Sequence, residues 1–213
     1  MTTFARISCL LFFVVLFSAA TAPAKKKKWV QLFDGKTLNG WKVGANAETF
    51  KVEDGAIVVN GKVAHLFYDG EVGKHDFKNF ELKLDIMTMP GSNSGVYIHT
   101  QYQESSWPKK GYEVQVNNSQ GDWRRTGGLY AVQDIKEPPA KDNEWFTMHI
   151  VVKNKNIKVS VNNKQLVDYT EPENAVREKG MEGRLLSSGT IALQGHDPNS
   201  KVLYKNIQLK VLD

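Results

Sequence analysis

Residues 90–116 decide the fold. They read PGSNSGVYIHT, a polar connection, then GYEVQV. In the first run Asn93, Gly95, Tyr97 and His99 fall on one side of an extended chain, with Val96 and Ile98 on the other. In the second, Glu113, Gln115 and Asn117 fall on one side, with Tyr112, Val114 and Val116 opposite. Strand side chains alternate faces with period two. Each run therefore predicts a strand with an apolar face for a core and a polar face of Tyr, His, Glu and amide groups. A sheet face of that composition suits sugar hydroxyls.

Outward from this stretch, the same period recurs. In Asn79 to Met89, Phe80, Leu82, Leu84 and Ile86 alternate with Glu81, Lys83, Asp85 and Met87. Phe146, Met148, Ile150 and Val152 repeat the pattern, as do Ile157, Val159 and Val161. Asp54-Gly55 between Thr49–Val52 and Ala56–Val59 predicts a hairpin, and Asn162-Asn163 predicts another turn. Gly189–Asp197 and Lys201–Leu212 close the chain as further strands. Only residues 171–184, EPENAVREKGMEGR, read as helical, and their apolar period is weak. About ten to thirteen short strands with no helical crossover predict one antiparallel all-β sandwich.

The N-terminus is of another kind. Arg6, the apolar run Ile7–Ala20 and an Ala-Pro-Ala ending read as a secretory signal peptide over residues 1–24. The run is shorter than the roughly 20 apolar residues a spanning helix needs. The expected organisation is a leader over 1–24, a basic linker over 25–28 and a single domain over 29–213, with no transmembrane segment in the mature chain. Cys9 is the only cysteine and lies in the leader, so disulfides and thiol catalysis are excluded once it is removed. The expected location is the periplasm or the outside of the cell. The net charge of +5 is concentrated in Lys25–Lys28, which argues against a nucleic-acid partner.

Eight motifs occur in order: LFDGKTLNGWKV, VEDGAIVV, FELKLD, GSNSGVYIHT, GYEVQV, TGGLY, EWFTMHIVVKNKNIKVSVNNKQLVDY and IALQGHDPNSKVLYKNIQLK. Together they resemble the 3-keto-disaccharide hydrolase domain family, over essentially all of the expected mature chain. The resemblance implies a jelly-roll β-sandwich of the concanavalin A-like type and cleavage of glycosidic bonds in 3-keto sugars. It also implies that Trp41 and Trp145 are core residues of family motifs.

The chemistry this implies is simple. A ketone at sugar carbon 3 acidifies the proton on carbon 2. The glycosidic oxygen on carbon 1 then leaves by elimination, and water adds back to give net hydrolysis. Such a site needs a base near carbon 2, a donor near the carbon 3 oxygen and an acid for the leaving oxygen. It does not need the paired carboxylates of ordinary glycosidases. Glu113-Val114-Gln115 has an amide where a laminarinase-type pattern would have its second carboxylate. Glu113 and His196 are the catalytic candidates. Gln115, Tyr97, Asn93, Ser94, His99, Gln194, Arg124 and Arg125 are the candidates for binding substrate, with Asn93 and Ser94 in the loop before their strand and the arginines, beside Trp123, in a loop at the cleft border. No cofactor is evident. Glu113, His196 and Asp85 are acceptable ligands for a divalent ion, but no metal-binding spacing supports them, and Asp85 reads more simply as an ion-pair partner of Lys83. A non-catalytic carbohydrate-binding module and a conventional endoglucanase are the rival readings.

Overall fold

The computed structural model describes Met1 and residues 27–213. Apart from Met1, the expected leader lies outside the described residues, as do Lys25 and Lys26. No helix among the described residues is long and apolar enough to cross a membrane.

Among the described residues, thirteen strands form two antiparallel sheets. The larger is built on β6 (Phe80–Thr88) and β13 (Val202–Val211) at its centre. Beyond β6 lie β9 (Phe146–Lys153), β10 (Asn156–Val161) and β11 (Lys164–Thr170). Beyond β13 lie β4 (Ala56–Val59) and β3 (Phe50–Glu53), while β1 (Val30–Gln31) pairs with the far end of β13. The smaller sheet runs β2 (Trp41–Val43), β5 (Ala64–Tyr68), β12 (Thr190–Gly195), β7 (Asn93–Thr100) and β8 (Tyr112–Asn117).

The period-two residues build the core. Phe80, Leu82, Leu84 and Ile86 of β6 are buried, as are Phe146, Met148, Ile150 and Val152 of β9. Val96 and Ile98 of β7 and Val114 and Val116 of β8 join them in one apolar cluster. Burying each such side chain contributes roughly 1.5–3 kcal/mol. The Asp54-Gly55 turn has positive φ at both residues, 48° and 77°, as a two-residue hairpin of type I′ demands.

Several expectations need correction. Residues 171–184 form no helix. Gly180 adopts a φ of +85°, and buried polar contacts pull the segment onto the sheet as an irregular strap. Trp41 is core, and its indole N–H donates to the Leu32 carbonyl at 2.8 Å. Trp145 is not core: it is 38% exposed, with the Lys205 ammonium 3.9 Å from its ring centre. Asp85 does not pair with Lys83. It accepts from Thr147 Oγ1 at 2.6 Å and Asn206 Nδ2 at 2.7 Å, while Lys83 lies over the Trp29 ring.

Candidate active site

The two strands that opened the sequence reading are neighbours in the five-stranded sheet, with Tyr97 opposite Glu113 and Gly95 opposite Gln115. Their polar side chains face away from the main core. Loops cover them, so every residue of β7, β8 and β12 is buried.

Glu113 is the hub, only 5% exposed. The Tyr97 hydroxyl donates to its Oε2 at 2.9 Å. Gln194 Nε2 donates to Oε1 at 3.0 Å and to the Tyr97 oxygen at 3.1 Å. Arg184 Nη2 donates to Oε2 at 3.2 Å. Gly95 makes room for this arrangement: a Cβ there would lie 2.5 Å from Glu113 Oε1, closer than nonbonded atoms tolerate. Burial, and then the Glu113 charge, push the Tyr97 hydroxyl well above its ordinary pKa, so it stays protonated as a donor.

These groups line a cavity of about 440 Å³. His196, just past the end of β12, lines it as well. Its Nδ1 donates to Asp197 Oδ2 at 2.7 Å, which leaves Nε2 as the nitrogen available for proton transfer. Asp197 is itself fixed by the Ser200 hydroxyl and by the Asn199 and Ser200 backbone N–H groups. Burial works to raise the Asp197 pKa, but the hydrogen bonds from His196, Ser200 and Asn199 outweigh it and hold the carboxyl below its usual range. A carboxylate behind an imidazole sets its tautomer and steadies the imidazolium.

Four polar atoms of residues lining this cavity are buried without a partner in the protein: Asn93 Oδ1, Gln115 Oε1, Gln194 Oε1 and Arg184 Nη1; His65 Nε2, behind the lining, is a fifth. An unsatisfied buried polar group costs about 1–3 kcal/mol. Three amide oxygens and one guanidinium donor suit a ligand rich in hydroxyl groups. His65 stands opposite Gln194 in the sheet, edge-on to Tyr97 and to Trp107. Burial, with the neighbouring His196, lowers its pKa to about 3, so it is a neutral imidazole.

The structure thus gathers Glu113, Gln115, Tyr97, Asn93, Gln194 and His196 around one cavity. Other candidates lie elsewhere. Asn93 and Ser94 are the first two residues of β7 and not a preceding loop. Ser94 points to the opposite face, where its hydroxyl meets the Gln194 carbonyl at 2.5 Å and the Tyr204 hydroxyl at 2.6 Å. His99 leaves the Tyr97 face because its φ of +53° breaks the alternation. Its Nε2 donates to the Lys78 carbonyl, its Nδ1 accepts from the Ser187 N–H, and its ring packs on Phe80. Arg125 braces its own loop through Asn117 Oδ1 and the Gln120 and Asp122 carbonyls. Arg124 pairs with Asp134 at 3.2 Å and lies over the Trp123 and Tyr130 rings. Neither arginine lines the cavity. The proposed metal set is not assembled, because Asp85 is on the outer face of the other sheet. Among the described residues, no group of three or more His, Cys, Asp or Glu side chains is placed to hold a metal ion.

Sequence reasoning missed Arg184, Tyr130, Asp122 and Trp107, which also line the cavity. Tyr130 belongs to a segment that hydrogen-bonds along the free edge of β8, with its N–H on the Glu113 carbonyl at 3.0 Å. Arg184 comes from the strap misread as a helix. Its one sequence signal is an arginine among glycines, in a segment whose weak apolar period leaves the helix without a buried face.

Residues 28–210 match the family described as the 3-keto-alpha-glucoside-1,2-lyase-like domain. A relative from Bacteroides thetaiotaomicron, named 3-keto-disaccharide hydrolase, is 28% identical, covering 90% of this chain and 81% of its own. A solved structure from Parabacteroides distasonis, provisionally assigned as a glycosyl hydrolase, aligns with a TM-score of 0.74 and 24% identity over 87% of this chain and 94% of its own. A galectin-like protein of unknown function from Bacillus subtilis aligns with a TM-score of 0.62 at 10% identity, over 87% of this chain and 96% of its own. The likeness to these two structures is one of fold.

Proposed function

The chain belongs to the 3-keto-alpha-glucoside-1,2-lyase-like domain family, and from that premise we propose that it cleaves the glycosidic bond of 3-keto-glycosides by elimination followed by hydration. The observation that carries this reading is the sharing of one cavity by His196, with Asp197 hydrogen-bonded behind it, and Arg184, whose Nη1 has no protein partner. His196 Nε2 takes the proton from carbon 2. The electron pair released moves onto the carbon 3 oxygen, where Arg184 Nη1 stabilises the enolate. The enolate then expels the glycosidic oxygen from carbon 1, which leaves with its bonding pair and takes the proton that His196 Nε2 removed from carbon 2. Water adds to the resulting enone at carbon 1 and restores the proton at carbon 2.

Glu113 has a different part from the base it resembles in sequence. Both its oxygens already accept hydrogen bonds, so it anchors the donor side and holds Arg184 and Tyr97 in place. The unpartnered amide oxygens of Asn93, Gln115 and Gln194 receive the remaining sugar hydroxyls. The site of action lies outside the cytoplasm, because Arg6 and Ile7–Ala20 read as a secretory leader. N-terminal sequencing of the exported protein tests that, with Lys25 the expected first residue.

The reaction is tested by incubating purified protein with a 3-keto-glucoside and with its unoxidised parent. Release of the aglycone from the keto sugar alone is the expected result. Cleavage of the parent overturns the proposal in favour of an ordinary glycosidase. Binding of either sugar without cleavage overturns it in favour of a carbohydrate-binding module.

A further inference from the structure

The strap from Glu171 to Ser188 has no regular secondary structure, yet it delivers Arg184 to Glu113. A chain without a ladder to hold it needs another constraint, and a buried cluster behind the cavity supplies one. Arg177 is the centre of that cluster. Its Nε donates to the backbone carbonyl of Arg184 at 2.6 Å. Its Nη2 donates to the Tyr112 hydroxyl at 2.6 Å and to the Tyr169 hydroxyl at 2.8 Å. Glu171 lies 3.6 Å from the same guanidinium. The Glu171 carboxylate accepts from the Tyr112 hydroxyl and from the Leu186 N–H at 2.8 Å. The backbone is therefore gripped on both sides of residue 185, by the carbonyl of 184 and the N–H of 186.

The other end of this grip is in β8. Tyr112 and Glu113 are consecutive and point to opposite faces. Tyr112 reaches the strap backbone through Arg177 and Glu171, and Glu113 reaches the side chain of Arg184 directly. Two adjacent strand residues thus close a loop of contacts around one arginine. The geometry requires a planar fork that serves the Arg184 carbonyl and the two tyrosine hydroxyls at once. Arginine provides this and lysine, with a single ammonium, does not. Burying Arg177 and Glu171 carries a desolvation cost, which apolar packing would avoid if the cluster served stability alone.

We propose that Arg177 is a positioning residue, which touches no substrate and sets the Arg184 guanidinium against Glu113 by holding the strap backbone. This rests on reading the cavity as the place of bond cleavage. A misplacement of about 1 Å by a change remote from the chemistry can cost about 100-fold in rate.

The test compares wild type with Arg177→Lys, Arg177→Ala, Arg184→Ala and the Arg177→Ala/Arg184→Ala double variant on a 3-keto-glucoside. Thermal unfolding is followed in parallel. Arg177→Lys, which keeps the charge and loses the fork, is expected to fold cooperatively and to lower kcat about 10- to 100-fold, with a smaller change in KM. In the Arg184→Ala background, Arg177→Ala is expected to lower kcat by no more than about 2-fold, because the group it positions is gone. Wild-type kcat in Arg177→Lys, or losses in the two single variants that multiply in the double, overturn the proposal. A second readout does not depend on turnover: the 15N side-chain resonance of Arg184, which is expected to shift or broaden in Arg177→Lys. If wild type cleaves no keto sugar the proposed reaction falls, and this resonance still decides the positioning. An unchanged Arg184 signal overturns it.

Discussion

The outer faces of the two sheets carry the same kinds of polar residue and treat them in opposite ways. On the eight-stranded sheet, Asp85 is satisfied by Thr147 and Asn206, Glu81 lies between His149 and Lys210, and Lys158 pairs with Asp168 at 3.2 Å. These groups stay in partial contact with water. On the five-stranded sheet, Glu113, Gln115, Gln194 and His65 are buried, and three of the four retain an atom with no protein partner. Partnered charges on a wet face add little to stability. Groups without a protein partner beside a cavity keep their hydrogen-bonding capacity for a ligand. A polar strand face is thus a surface in one sheet and a receptor in the other. What separates them is whether loops and the strap close over it.

Substitutions can break this contrast on either side. The largest effect is expected at the donor side. Arg184→Ala should lower kcat on a 3-keto-glucoside about 100- to 1000-fold, the loss typical of removing one donor to a developing oxyanion. Steady-state kinetics check it, with the unfolding transition confirming an intact fold. His196→Ala should cost about 100-fold or more. Asp197→Asn should cost less than His196→Ala and should alter the pH–rate profile, since the amide no longer steadies the imidazolium.

A smaller effect is expected from the buried His65. In the unfolded chain its imidazole takes up a proton near pH 6.5, and in the folded protein only near pH 3. Between these values the unfolded state binds more protons, so stability falls as the pH is lowered through the window and is fully present above it. Urea unfolding at pH 7 and pH 5 should differ by about 2 kcal/mol from this residue, and His65→Gln should remove that difference. His99 and His149, also lowered chiefly by burial, contribute with the same sign in both proteins. An equal pH dependence in wild type and variant would refute the assignment. The smallest effect is expected on the wet face: Asp85→Ala should change stability by less than about 1 kcal/mol and leave kcat unaltered.

Much of the fold was legible because its information is local. The alternation in β6 and β9, the positive-φ Asp54-Gly55 turn and the paired runs of β7 and β8 need only a few neighbouring residues to be read. The same alternation placed Tyr97, Glu113 and Gln115 correctly on one face. It failed at His99, where a positive φ turns the side chain aside; Ser94 was misplaced for another reason, being read as a loop residue when it lies in β7 with its hydroxyl on the opposite face, against Tyr204. The alternation gave no notice of Arg184, because no periodicity governs an irregular segment held by Arg177 and Glu171. The loop arginines Arg124 and Arg125 looked equally suited to the cleft, and only their contacts with Asp134 and the Asn117 loop remove them.

The sequence by itself determined that the chain is an antiparallel β-sandwich and that two of its strands carry a polar face holding Tyr97, Glu113 and Gln115. Both follow from hydrophobic period and turn chemistry, which act over a few residues. Tertiary structure decided which polar face is closed over by loops, which arginine meets the carboxylate, and that His196 faces the same cavity as Glu113. Those outcomes depend on contacts between residues far apart in the chain, such as Glu113 with Arg184, and short-range pattern carries no record of them.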